Sequence, residues 1–490
     1  MSPARHRNLY GYVLFLLLSG LTIACGGCGV AIRGLQEGAI LVKNSEVFHQ
    51  GRHGALTAQE QEWAKTAWKY FENNVGPTTG LANSVDKFPT ATMWHAGDYL
   101  AAMVAARELN IIQENEFDQR LSTLLHFLNT MPLFRGKVPH KMYHVESGQM
   151  VDYGANPGEI GWSAVDLGRL LVWLRIVRER YPRFTEYVDR IVLRWDFCDV
   201  IDSEGALYGG VNENGQLQKS EERRSGYQDY IALGFQAWGW STARASRKEP
   251  YDTERIFDIA VLPEGRDPRD RGKSENPPPV VTLPYVLDGL EFNWDTVNDG
   301  WSLDSVHSDA ERADLAQRIY TVQERRYQQK KIFTARTDHQ TSTAPFFVYD
   351  TIFAAGYPWN TMADSGKFTP EAALVSSRAA FGLWALWKTN YTDSLLEVVS
   401  ALFNPGKGWY EGRFELTGGY EYAVTSTTNA VVLESLLYKV VGKLYRLAAK
   451  EGYSQVILKD EFTHPGKCMP LDPMLKPEHK SEVAGLTPLK

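Results

Sequence analysis

Cysteine is scarce in this chain, with four among 490 residues. Two of them, Cys25 and Cys28, fall inside an apolar N-terminal stretch. So few cysteines exclude a disulfide scaffold, and no Cys/His spacing matches a structural zinc site. Neither a metal nor a cofactor is expected. The other two, Cys198 and Cys468, read as free thiols, because sequence alone cannot bring their Cα atoms within bridging distance, although an oxidising compartment would permit one disulfide. Positive charge is not in excess either. The 52 Lys and Arg face 59 Asp and Glu, for a net charge of −7, which argues against the basic footprint of a nucleic-acid partner. No fixed period recurs along the chain, which weakens any solenoid reading.

The N-terminus carries a long uncharged run. Arg5 and Arg7 precede a stretch from Asn8 to Ile32 that contains Tyr12-Val-Leu-Phe-Leu-Leu-Leu-Ser19. A basic start followed by an apolar stretch is the pattern of a secretory signal or a membrane anchor, and this one is long enough to span a bilayer. Leu21 to Cys25 also resembles a bacterial lipobox, with Thr22 where Leu is usual. Lipidation at Cys25 and an uncleaved helix are both open. Either places the chain from residue 35 onward in the periplasm or at the cell surface, anchored to the membrane.

Aromatic residues are abundant: 14 Trp, 24 Tyr and 21 Phe. Most must be core, since large rings supply much of the apolar burial. Many, however, sit beside Gly, Asp and Asn in segments that read as loops. Sugars present apolar ring faces and polar edges, so a cleft of aromatics and carboxylates suits a polysaccharide.

Apolar residues recur at i, i+3 and i+4 over roughly 58–74, 93–109, 115–130, 161–180, 183–196, 226–245, 305–328, 371–388, 391–402 and 427–449, the period of amphipathic helices. Strand signals are few and short, Val280 to Leu283 among them. Ten or more helices joined by dissimilar polar loops predict an all-α domain, an (α/α)6 toroid of helical hairpins, over 55–452. Residues 1–34 form the leader or anchor and 453–490 an extended tail. Glu264 to Pro279, rich in charge and proline, reads as an exposed loop.

Glycoside cleavage needs a proton donor and a second carboxylate that activates water or attacks carbon. The candidates are acids in loops or at helix ends, beside aromatics. Six clusters qualify. Asp86 follows Thr79-Gly-Leu-Ala-Asn-Ser-Val, and Asp98 lies one turn after Trp94. Glu159 precedes Trp162 and is expected to open a helix. Glu222 and Arg224 run into Gly226-Tyr227. Glu291 and Trp294 lie in Asp288-Gly-Leu-Glu-Phe-Asn-Trp-Asp295, which shows no helical period. Asp338, His339, Tyr349 and Trp359 occupy a fifth stretch, and Trp409 and Glu411 a sixth. An acid in a first helical turn is also common for purely local reasons, and Thr92 is the expected cap before Asp98.

At these motifs the chain resembles the domain-of-unknown-function family 3131, itself similar to the glucoamylase-like domains of bacterial glycan enzymes. The matching features are Thr79-Gly-Leu-Ala-Asn-Ser-Val with Met93-Trp94, Glu222 ahead of Gly226-Tyr227, Thr337-Asp-His, Ala344-Pro-Phe-Phe-Val-Tyr, Pro358-Trp359, Gly408-Trp-Tyr-Glu-Gly, Thr428-Asn429 and Leu433-Glu434. They run from about 60 to 450. The resemblance implies an (α/α)6 toroid acting in extracellular or periplasmic glycan metabolism, with β-glucans a plausible substrate class. Where relatives carry Glu after the Gly-Tyr pair, this chain has Gln228 followed by Asp229.

The expectation is a glycoside hydrolase with Glu222 as proton donor and Asp86 or Asp338 as the partner carboxylate. Trp94, Tyr227, Trp294, Trp359 and Trp409 would be sugar platforms. Two alternatives remain: a non-catalytic glycan-binding or polysaccharide-secretion lipoprotein, and a polysaccharide lyase built on His339, Tyr349 and Arg336.

Overall fold

The structure, a computed structural model, describes residues 51–213, 215–246, 255–261, 279–295, 310–445 and 467–470. The leader at 1–34, Cys25 within it, and most of the segments 264–279 and 453–490 lie outside the described residues. Among the described residues, no helix is long and apolar enough to cross a membrane.

Among the described residues the α-helices in chain order are α1 (Ala58–Asn74), α2 (Met93–Glu108), α3 (Glu114–Thr130), α4 (Ala164–Arg180), α5 (Thr185–Arg194), α6 (Tyr227–Gln236), α7 (Leu283–Phe292), α8 (Ala310–Lys330), α9 (Ser377–Leu386), α10 (Asn390–Val399) and α11 (Ser426–Val441). They are of two kinds. In α1 the buried Ala64, Ala67, Trp68 and Phe71 form one stripe, and the rest of its surface meets water. In α7 and α9 all ten residues are buried. A helix that is buried all round must be surrounded by others.

That difference sorts them into two layers. Helices α2, α4, α6, α7, α9 and α11 each pack on the next, and α11 closes the ring on α2. Helices α1, α3, α5, α8 and α10 lie outside, each immediately preceding an inner helix in sequence. Residues too small to hold neighbours apart let the inner helices touch. A Cβ on Gly234 of α6 would sit 2.2 Å from the backbone oxygen of Gly168 in α4, and one on Gly382 of α9 would sit 2.1 Å from Val286 of α7. Thr92, Ser163 and Thr425 cap α2, α4 and α11 with side-chain hydrogen bonds.

Three departures from the sequence reading stand out. First, the domain is not purely helical. Short strands fill the connections: β1 (Gly161–Trp162), β2 (Tyr208–Glu213), β3 (Gln216–Glu221), β4 (His339–Gln340), β5 (Phe347–Asp350), β6 (Thr361–Ala363), β7 (Leu374–Ser376), β8 (Gly408–Phe414) and β9 (Tyr420–Val424). They pair as β1-β2-β3, β4-β5-β6 and β7-β8-β9. Strands β1, β4, β6 and β7, of two or three residues each, are too short to show an alternating pattern. Strand β7 also explains why the helix expected from 371 starts only at Ser377.

Second, Leu283–Phe292 is the inner helix α7, not a loop. Its sequence has no polar face because it meets protein on all sides, so no 3.6-residue period was visible. Third, Cys198 and Cys468 are bonded to each other, with Cα atoms 5.0 Å apart and 270 residues of chain between them. The pairing is held locally by the Phe197 amide donating to the Lys467 carbonyl and the Trp240 indole donating to that of Cys468.

Candidate active site

All six inner helices present their N-terminal ends to one mouth of the ring. A cavity of about 200 Å³ opens there. Thr92, Trp94 and His95 reach it from the start of α2, Asp166 from α4, Arg224 and Tyr227 from α6, Leu283 from α7, Arg378 from α9, and Thr425 and Thr427 from α11. Ser84, Asp338, Gln340 and Phe347 complete the wall from the connecting segments. The layering of helices thus brings Ser84 and Thr427, 343 positions apart in sequence, to one site.

Among the described residues, two carboxyl groups line this cavity, and their environments differ. Asp166 stands in the first turn of α4, where its amide donates to the Ser163 hydroxyl. Burial pushes its carboxyl up to about 6, although Lys141, Arg224 and the hydroxyls of Ser163 and Thr92 pull the other way. Asp338 is engaged as an acceptor on both oxygens. The Tyr227 phenol donates to them at 3.0 and 2.8 Å, and Thr337 donates to one at 2.8 Å. Two acids set apart by their surroundings are the usual equipment of acid–base catalysis.

Cations near them are compensated. Arg378 donates to Glu411 at 2.8 Å and to the Asp338 carbonyl at 2.6 Å. Arg224 makes a two-pronged pair with Glu222, at 2.9 and 2.8 Å. His95 is held neutral by burial, its ring lowered to about 4. Trp94, Tyr227 and Phe347 give the wall its apolar surface, with Trp94 and Tyr227 edge-to-face at 5.8 Å.

Beneath the cavity lies a buried ionic cluster. Arg169 donates to Asp98 at 2.7 Å, Glu291 at 2.9 Å and Glu434 at 2.6 Å, all with side chains of zero exposure. Tyr230 and Trp173 add hydrogen bonds to Glu291, and Thr427 adds one to Asp98. The guanidinium also lies 4.9 Å from the Trp94 ring, so the cluster supports the cavity floor.

Of the sequence candidates, the structure brings Trp94, Arg224, Tyr227 and Asp338 to the cavity wall. Glu222 stands behind Arg224, and Tyr349 lies near that arginine. Glu411 lies just inside, accepting from Arg378, Thr425, Thr428 and the Gln340 amide. His339 is fully buried beside it. Asp98 and Glu291 belong to the buried cluster. Asp86 accepts from Lys407 and Asn74 away from the wall. Trp162, Trp294 and Trp409 are core residues, each with 1% exposure or less. Trp359 stacks under Arg326, whose guanidinium is 4.5 Å away. Glu159 is exposed and opens no helix; α4 begins five residues later. Arg336 of the lyase alternative is locked to Glu415 and Asp350. Asp166 and His95 were missed. The signal for Asp166 was there, a Ser-x-x-Asp start following Gly161-Trp162, but that pattern serves equally as a helix cap.

Residues 62–442 match the sequence profile of the family described as Protein of unknown function (DUF3131). No curated protein matches the chain. Solved structures share the fold. An endo-β-1,2-glucanase from Chitinophaga pinensis, solved with sophorotriose and glucose, has a TM-score of 0.54 at 13% identity, over 80% of this chain and 94% of its own. A glucoamylase candidate from Bacteroides caccae has a TM-score of 0.54 at 13% identity, over 79% and 94%. A β-1,2-glucanase from Parabacteroides distasonis scores 0.53 at 12% identity, over 84% of this chain and 60% of that one.

Proposed function

We propose that this chain, which belongs to the DUF3131 family through residues 62–442, is a glycoside hydrolase that cleaves a β-glucan in the cavity at the ring's N-terminal mouth. The observation that carries the reading is the pair Asp166 and Asp338, two differently held carboxyls in one aromatic-walled cavity. Asp166, whose acid form is present below pH about 6, donates to the glycosidic oxygen as the bond to the anomeric carbon breaks. Asp338 takes a proton from the water that attacks that carbon. Glu222 fixes the Arg224 guanidinium at the wall. Trp94, Tyr227 and Phe347 cover apolar sugar faces. The β-1,2-glucanases of like fold make β-1,2-linked glucans the first substrates to try.

We further propose that the enzyme works outside the cytoplasm, membrane-anchored through the N-terminal segment, either by lipidation at Cys25 or as a helix. The Cys198–Cys468 bond supports an oxidising compartment. The test of the catalytic reading is reducing-end release from β-glucans by the wild type and by Asp166→Asn and Asp338→Asn. Each variant should lose at least about 100-fold in rate while still binding oligosaccharide. Wild-type activity in either removes that residue's role. A wild type that binds glucan and never cleaves it is the glycan-binding protein of the alternative reading.

A further inference from the structure

His95 lies in the cavity wall, yet nothing above gives it a task. Its Nδ1 accepts the backbone N–H of Thr92 at 3.1 Å, closing the cap of α2. A ring nitrogen that accepts from an amide has no proton of its own. The neutral ring must then carry its proton on Nε2. Among the described residues that Nε2 has no hydrogen-bond partner, while the side chain lines the cavity. Burial keeps the ring neutral, with Arg378 and Arg169 reinforcing it and Asp98 opposing.

We propose that His95 is a specificity-determining residue that donates Nε2–H to a hydroxyl oxygen of the bound sugar. This rests on the glucan reading of the same cavity. A neutral donor suits an uncharged polyol, because it offers one directed hydrogen bond without adding charge to the cavity that Asp166 and Asp338 share. The fixed tautomer also makes the site selective: a sugar lacking that oxygen leaves the donor unpaired in a buried place.

Two substitutions separate this task from the cap. In His95→Asn the amide oxygen can take the place of Nδ1 and keep the cap, while the donor is lost. In His95→Gln an amide N–H can reach the place of Nε2 and keep a donor there, and glutamine at this N3 position can still close the cap. Calorimetric binding of sophorotriose should weaken about 3- to 10-fold in His95→Asn, the worth of one neutral hydrogen bond, and stay near wild type in His95→Gln. Thermal melting should stay near wild type in both, since each can keep the cap. Weaker binding in His95→Gln than in His95→Asn would overturn the proposal. Histidine ¹⁵N spectra of the free protein give a second reading that needs no sugar. They should show His95 as the neutral Nε2–H tautomer from pH 5 to 8. A charged ring or an Nδ1–H tautomer in that range would overturn the proposal. Wild type that binds no glucan at all overturns the glucan reading and the sugar contact together. Wild type that binds, with equal affinities in the two variants, overturns the His95 assignment alone.

Discussion

The phenol of Tyr227 donates to both carboxyl oxygens of Asp338, 111 residues away in the chain, at 3.0 and 2.8 Å. It thereby fixes the direction in which that carboxyl faces the cavity. Tyr227→Phe keeps the ring against Trp94 and removes only the donor. Hydrogen bonds to charged groups contribute about 1.5–3 kcal/mol, so glucan cleavage should slow by about 10- to 100-fold. Steady-state rates checked alongside a melting curve would separate this from unfolding. An unchanged rate would show that Asp338 needs no such orientation.

Activity should depend on the proton of Asp166. Burial raises this carboxyl from 3.8 to about 6. The acid form is therefore present below pH about 6 and lost above it. Each further pH unit should cost about tenfold in rate once the proton is gone. A kcat profile from pH 4 to 9 checks this, and a rate flat through pH 8 would contradict the assignment.

The buried cluster makes a separate prediction about stability. Three carboxyls surround the single Arg169, and among the described residues one oxygen of Glu434 accepts no hydrogen bond. Burial raises the Glu434 carboxyl well above its usual 4.5, with Glu291 and Asp98 adding repulsion and Arg169 opposing. The folded chain then holds a proton that the unfolded chain releases above pH about 4.5. Stability from this group is complete below that pH and falls as pH rises toward the folded value, by up to about 1.4 kcal/mol per unit. Glu434→Gln cannot titrate. Its stability relative to wild type should improve between pH 5 and 8, as measured by denaturant unfolding at several pH values. A constant difference would place the cluster's proton elsewhere.

The Cys198–Cys468 bond closes a loop of 270 residues. Cross-links of native proteins typically contribute about 2–5 kcal/mol. Cys198→Ser with Cys468→Ser should lower the unfolding free energy by that order and free the 467–470 segment from Phe197 and Trp240. Non-reducing peptide mapping would establish the bond, and a melting curve insensitive to reductant would argue that it carries no stability.

The layout of helices was largely legible in the sequence because outer helices write a stripe. Ala64, Ala67, Trp68 and Phe71 repeat with a period that only a helix with one wet side produces. Inner helices can lose that signature as burial becomes complete, although α9, buried throughout, still falls within the periodic stretch 371–388. Helix α6 still falls within a longer periodic stretch, but α7, buried on every side, carries no period and reads as a loop. The same limit applied to chemistry. Glu291 and Asp98 look like site acids beside aromatics, yet Arg169 claims both from 122 and 71 residues away. Nothing local distinguishes a carboxyl facing a cavity from one facing an arginine in the core. Asp338 and Tyr227 were named, but their contact was not visible. Asp166 hid in a capping pattern that turned out to point into the cavity as well.

The most direct measurement is a crystal structure of the Asp166→Asn variant soaked with sophorotriose. The account predicts sugar in the cavity at the N-terminal mouth, with a glycosidic oxygen within hydrogen-bond reach of the side chain at 166 and a water held by Asp338 on the other side of the anomeric carbon. Sugar bound elsewhere on the ring, or lying in the cavity with both aspartate positions turned away from the linkage, would contradict it.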